Sequence, residues 1–179
     1  MEQSVATTIA CIITLRNRNT AVMCQRLTGD FAGYWQFPSG KVEHGELPVH
    51  AAARELKEES GIIAPTSELL WLGNHDAVTT KGVWKQVFFL LLPYRNMLFM
   101  HKEPEKHGPW RDFNIEELFR RPDMLWLPNN ANAMNLALEE HNCPHFCVGD
   151  EVVRRFVPPD EPEPVVHTIT ARKQDQGTW

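Results

Sequence analysis

The chain lacks three things: a cysteine framework, an excess of basic charge, and an apolar run long enough to cross a bilayer. Four cysteines in 179 residues argue against a disulfide-built scaffold. Cys11 and Cys24 sit in apolar stretches and read as small core residues. His141, Cys143, His145 and Cys147 alternate along one stretch. That alternation is not the paired spacing of a structural zinc site, so packing near a helix end is the better reading. A net charge of −5 and a pI near 5.9 leave no global basic field for gripping nucleic acid. The apolar run Ile9 to Leu15 is too short to span a membrane, is interrupted by Thr14, and follows no basic segment. Neither secretion nor a membrane anchor is expected, and the cytoplasm is the expected compartment. No internal repeat is visible.

What is present suits one folded domain. The chain is 42% apolar and 23% charged, ordinary for a soluble protein of this size. Val5 to Leu15 and Thr20 to Gln25 are rich in β-branched residues and predict a hairpin about the turn Arg16 to Asn19. Trp35 to Phe37 predicts a short strand, and a helix is expected from about Leu47 or Pro48 to Ser60, with proline near its first turn. Strands are expected over Glu68 to Val78 and Gly82 to Leu92. The second is apolar on both faces from Val87 onward and therefore central. After the loop Arg95 to His107, a short strand covers Trp110 to Phe113. Asn114 then caps a helical turn, and a last helix starts at Pro128. The order β-β-β-α-β-β-β-α predicts an α/β fold with a mixed sheet between helices. Residues 158–179 are proline-rich and acidic at first, then polar, and read as an extended tail beyond a domain of residues 1–157. Such a tail could lie against a second copy in a homodimer.

The most informative stretch runs from Gly40 to Ile62. Gly40 is followed after five residues by Glu46, and after seven more by Arg54-Glu55-Leu56-Lys57-Glu58-Glu59-Ser60-Gly61-Ile62. Glu55, Glu58 and Glu59 stand at i, i+3 and i+4, on one face of a helix. Like charges so close repel, and a solvated acidic surface is the ordinary reading of such a helix. The flanks shift the balance. Arg54 can meet Glu46 only if the loop folds back onto the helix, and Gly61 supplies the stop. Hard divalent cations would account for three carboxylates at this spacing.

This segment resembles the Nudix box, GX5EX7REUXEEXGU, at every defined position, with Leu56 and Ile62 in the aliphatic slots. Upstream, Trp35-Gln36-Phe37-Pro38-Ser39-Gly40-Lys41-Val42-Glu43 is similar to the lead-in of MutT-like members, with Ser39 where many have glycine. The resemblance covers about residues 5 to 142 and implies the αβα sandwich of that family. It also implies hydrolysis of a nucleoside diphosphate linked to another group. By the same resemblance Glu55, Glu58 and Glu59 hold Mg²⁺, with Mn²⁺ as a substitute, and the Gly40 carbonyl is a further ligand. Glu46 and Arg54 form a structural pair that fixes loop against helix.

A later acid joins the metal site or acts as base in several such groups. Glu103 and Glu105 are the candidates, weighed evenly against an ordinary surface loop. Their segment, Glu103-Pro104-Glu105-Lys106-x-x-x-Trp110-x-x-Phe113, resembles one in MutT-like enzymes that sanitise nucleotide pools, with His107 at a cysteine position and Asp112 at a tryptophan position. Trp35, Phe37, Phe89 and Trp126 are candidates to stack on a base, although aromatics mostly build cores. Three functions stand: a nucleoside triphosphate pyrophosphohydrolase, an RNA 5′-end or dinucleoside polyphosphate hydrolase, and a binding module without catalysis. The five intact box residues Glu46, Arg54, Glu55, Glu58 and Glu59 argue against the last.

Overall fold

A computed structural model describes residues 7–17, 19–29, 31–78, 84–92 and 97–121, with residues 130, 133, 134 and 137 of a further helical stretch; at 75–78, 84 and 85 it describes the backbone alone. In chain order the elements are β1 (Thr7–Asn17), β2 (Thr20–Gln25), β3 (Trp35–Gln36), β4 (Ser39–Lys41), α1 (Pro48–Ser60), β5 (Leu70–Val78), β6 (Trp84–Leu92), β7 (Arg111–Asn114) and α2 (Ile115–Arg120). A 3₁₀ turn, Thr66–Glu68, precedes β5.

The strands form one mixed sheet in the order β3-β2-β1-β6-β5. β1 and β6 run parallel from Thr7↔Lys85 to Thr14↔Leu92, while the other pairings are antiparallel. The far edge of β1 is shared. Ile9 to Cys11 pair with β4, and Leu15 and Asn17 pair with β2. β2 divides likewise, with Thr20 to Met23 on β7 and Cys24 and Gln25 on β3.

The period-2 geometry of strands explains why helices cover both faces. In β1, Cys11, Ile13 and Leu15 enter one core, and Ala10 and Ile12 the other. In β6, Phe89 and Leu91 share the first, and Leu90 and Leu92 the second. The first core is closed by Ile115 and Leu118 of α2 and by Ala133, Met134 and Ala137. The spacing of those last three matches one helix face. The second is closed by Ala51, Ala52 and Leu56 of α1, with Ile62, Ala64, Leu69 and Met97. The layers are helix, sheet, helix, as the sequence predicts.

Both ends of α1 follow from local chemistry. Pro48 occupies the first turn, and Gly61 ends the helix in the left-handed conformation (φ 74°), its N–H donating to the Lys57 carbonyl. Asn114 caps α2 as expected, its Oδ1 accepting from the Glu117 N–H at 3.1 Å. Some details differ from expectation; β1, for one, runs on through Arg16 and Asn17, which the sequence places in the turn. Gly40 lies on the short strand β4 rather than in a loop, because β1 supplies its pairing partners. Leu70, not Glu68, opens β5, because Thr66–Glu68 closes a 3₁₀ turn. Most of the helix expected from Pro128, the alternating His141 to Cys147 stretch and the tail at 158–179 lie outside the described residues.

Candidate active site

The last two turns of α1 lie beside β4, so the acidic face of the helix meets the backbone of Ser39, Gly40 and Lys41. Glu59 is the deepest carboxylate, with a side chain 4% exposed. Its Oε2 accepts a hydrogen bond from the Ser39 N–H at 3.0 Å. Glu55 is largely buried, and Glu58 stands half in solvent. A Cβ placed on Gly40 would sit 1.9 to 2.3 Å from the Glu55 carboxyl group. Only glycine lets the strand approach that carboxylate so closely.

Arg54 organises the rim. Its Nε and Nη2 donate to the two oxygens of Glu46 at 3.1 and 2.9 Å, a forked pair. Nη2 also donates to the Lys41 carbonyl at 2.8 Å. Nη1 meets Glu55 at 2.6 Å and Glu58 at 3.3 Å. Glu46 additionally accepts from the Glu43 N–H at 3.0 Å. The loop between β4 and α1 is thus bound back onto the helix, as the spacing of Glu46 and Arg54 implies.

A second loop completes the corner. The Met100 N–H donates to the Ser60 carbonyl, the Leu27 N–H to the Lys106 carbonyl, and the Gly108 N–H to the Gln25 carbonyl. These bonds hold residues 100–108 between the end of α1 and β2. They bring Glu103 and His107 to Glu59: His107 Nε2 is 3.6 Å from Glu59 Oε1, and His107 Nδ1 is 3.9 Å from Glu103 Oε2. One donor atom from each of the three residues lies within 4.8 Å of the others. Lys106 bonds the other oxygen of Glu103.

The electrostatics follow from this crowding. Burial pushes the Glu59 carboxyl well above the usual carboxylate range; Glu55 and Glu103 push the same way, against the Ser39 N–H. Burial also raises Glu55, with Glu58 and Glu103 adding to the rise and Arg54 opposing it. Glu46 is lowered, chiefly by its bond from Arg54 and then by the Glu43 N–H. Burial lowers His107. Carboxylates whose charge is disfavoured on its own, set among oxygen donors, fit a hard divalent cation.

The other candidates fall elsewhere. Glu105 is exposed on the turn beside Lys106. Phe37 is fully buried and Phe89 is 4% exposed, so both build the first core and present no free ring. Trp35 is half-buried, edge-on to Phe113 at 4.7 Å, with Arg111 5.8 Å from its ring centre. Trp126 lies outside the described residues. His107 was not among the expected site residues; its i+4 spacing from Glu103 was the available signal.

Comparison with known proteins agrees with this geometry. The family model described as "NUDIX domain" matches residues 6–134. An 8-oxo-dGTP diphosphatase of Proteus vulgaris is 33% identical over 102 residues, covering 57% of this chain and 85% of that protein. An RNA pyrophosphohydrolase of Helicobacter pylori is 26% identical over 106 residues, 51% of this chain and 66% of that protein. A crystal structure of MutT protein from Methanosarcina mazei shares the fold, with a TM-score of 0.65 at 14% identity over 79% of this chain and 99% of that one. With the family model spanning most of the chain and the box folded as its spacing requires, this protein belongs to the NUDIX domain family and is a Nudix hydrolase.

Proposed function

We propose that the protein hydrolyses a phosphoanhydride of a nucleoside triphosphate, giving a monophosphate and pyrophosphate, with Mg²⁺ as the working cation and Mn²⁺ as a substitute. The Glu55 carboxyl against Gly40, the Glu59 carboxylate on the Ser39 N–H, and Glu58 beside Arg54 on the same helix face carry this reading. These three carboxylates and the Gly40 carbonyl would hold the metal. A bound divalent cation supplies charge neutralisation at phosphate oxygens and makes water more acidic.

The chain's own groups do the rest. The Ser39 N–H aims the Glu59 carboxylate. Arg54 holds Glu55 and the Glu46 loop in register, which orients the ligands without touching substrate. In the reaction an oxygen–phosphorus bond forms from water, the bridging phosphorus–oxygen bond breaks, and the water proton passes to a carboxylate. Glu58 is the proton acceptor in this scheme. It is 54% exposed and meets Arg54 at 3.3 Å.

The relatives support a nucleotide substrate, and the Helicobacter pylori relative supports a second reading on RNA 5′ ends. A panel of deoxynucleoside and nucleoside triphosphates, dinucleoside polyphosphates, nucleotide sugars and 5′-triphosphorylated RNA, with Mg²⁺ or Mn²⁺, separates them. Pyrophosphate release fastest from free triphosphates is the expected result. Faster release from RNA ends favours the second reading. No release from any substrate favours a binding module.

A further inference from the structure

We propose that Glu59, Glu103 and His107 form a mixed oxygen–nitrogen seat for a divalent cation, with the imidazole biasing it toward borderline transition ions such as Co²⁺ or Zn²⁺ over Mg²⁺. The inference rests on the cation reading above and adds a nitrogen ligand to it. The His107 side chain is only 8% exposed and Glu59 only 4%. Among the described residues neither ring nitrogen of His107 makes a hydrogen bond; its approaches to Glu59 and Glu103, at 3.6 and 3.9 Å, are too long for one. Ligands bound ~2.1 Å from a shared cation stand ~3 to 4.2 Å apart; the Nε2 to Glu59 Oε1 separation falls inside that range, and one donor atom from each of the three residues lies within 4.8 Å of the others.

Each carboxylate is already aimed. Glu59 spends Oε2 on the Ser39 N–H and Glu103 spends Oε1 on Lys106, leaving Glu59 Oε1 and Glu103 Oε2 facing the ring. Such outer bonds are what orient metal ligands. The main chain fixes the third member: the His107 N–H donates to the Glu103 carbonyl, and the His107 carbonyl accepts from His101 Nε2 at 2.6 Å. Imidazole nitrogen suits transition cations, whereas Mg²⁺ keeps to oxygen.

The test uses the full chain loaded with Co²⁺. Proton NMR should show a strongly shifted, exchangeable imidazole N–H, absent in His107→Ala and His107→Gln. Calorimetry should show Co²⁺ affinity falling about 10-fold or more in both variants, with Mg²⁺ affinity changed by less than about 2-fold. The spectrum of the unsubstituted protein decides the matter even if a variant fails to fold. No shifted imidazole signal, or equal losses for both cations, overturns the nitrogen ligand, makes His107 a mere neighbour of Glu59, and leaves the hydrolase reading intact. No uptake of either cation overturns both.

Discussion

Glu59 shows how one residue links stability to chemistry. Burial raises its carboxyl from the usual 4.5, so the folded state favours the protonated form. The associated stability is therefore complete below the unfolded value and is lost as pH rises through the folded one. In metal-free protein Glu59→Gln should melt at higher temperature than the parent near pH 8, with the gap closing toward pH 4, while turnover is abolished. Melting curves in chelator across that range check the sign. Glu46 behaves oppositely. Arg54 lowers its carboxyl, so its contribution is present above about 4.5 and fades as pH falls through the folded value; Glu46→Gln should lack that acid limb. Gly40→Ala tests close approach. Its methyl group would overlap the Glu55 carboxyl, so turnover should fall by about 100-fold or more with the helix content kept. Circular dichroism beside pyrophosphate release measures both.

At the scale of elements, the helix and its glycine stop were legible because their signals are local: Pro48, the apolar stripe and Gly61 sit within one stretch of chain. The pair Glu46 and Arg54 was legible for the same reason. The strand at Ser39–Lys41 was not, since only its pairing with Ile9 to Cys11 makes it a strand. Nor was His107, whose place depends on backbone bonds from residues 100–108 to Ser60 and to β2. Its neighbour Glu103 was read evenly as ligand or surface, and packing beside Glu59 is what distinguishes it from exposed Glu105. The loop–helix tie makes its own prediction. Lysine cannot reproduce the fork that Arg54 offers to Glu46 while also reaching Lys41 and Glu55. Arg54→Lys should lower kcat about 10-fold or more. Glu46 should lose its protection against protonation in the same variant, which carbon-detected NMR titration reads.

For the whole molecule, the layered fold follows from β1 and β6 being apolar on both faces, which demands a helix on each side. That demand was visible in the run Val87 to Leu92. Which helix closes which face was not, because it depends on the division of β1 between two partners. The same division places β4, and with it Gly40, against the acidic face of α1. The architecture therefore serves to hold three like charges at one corner, an arrangement that is costly without a counter-ion. Isothermal titration of Mg²⁺ and Mn²⁺ into the full chain with a non-cleavable nucleoside triphosphate tests this most directly. Saturable uptake that is lost in a folded Glu55/Glu58/Glu59 triple Gln variant is the expected result. Equal uptake by that variant, or none by the parent, would contradict the account.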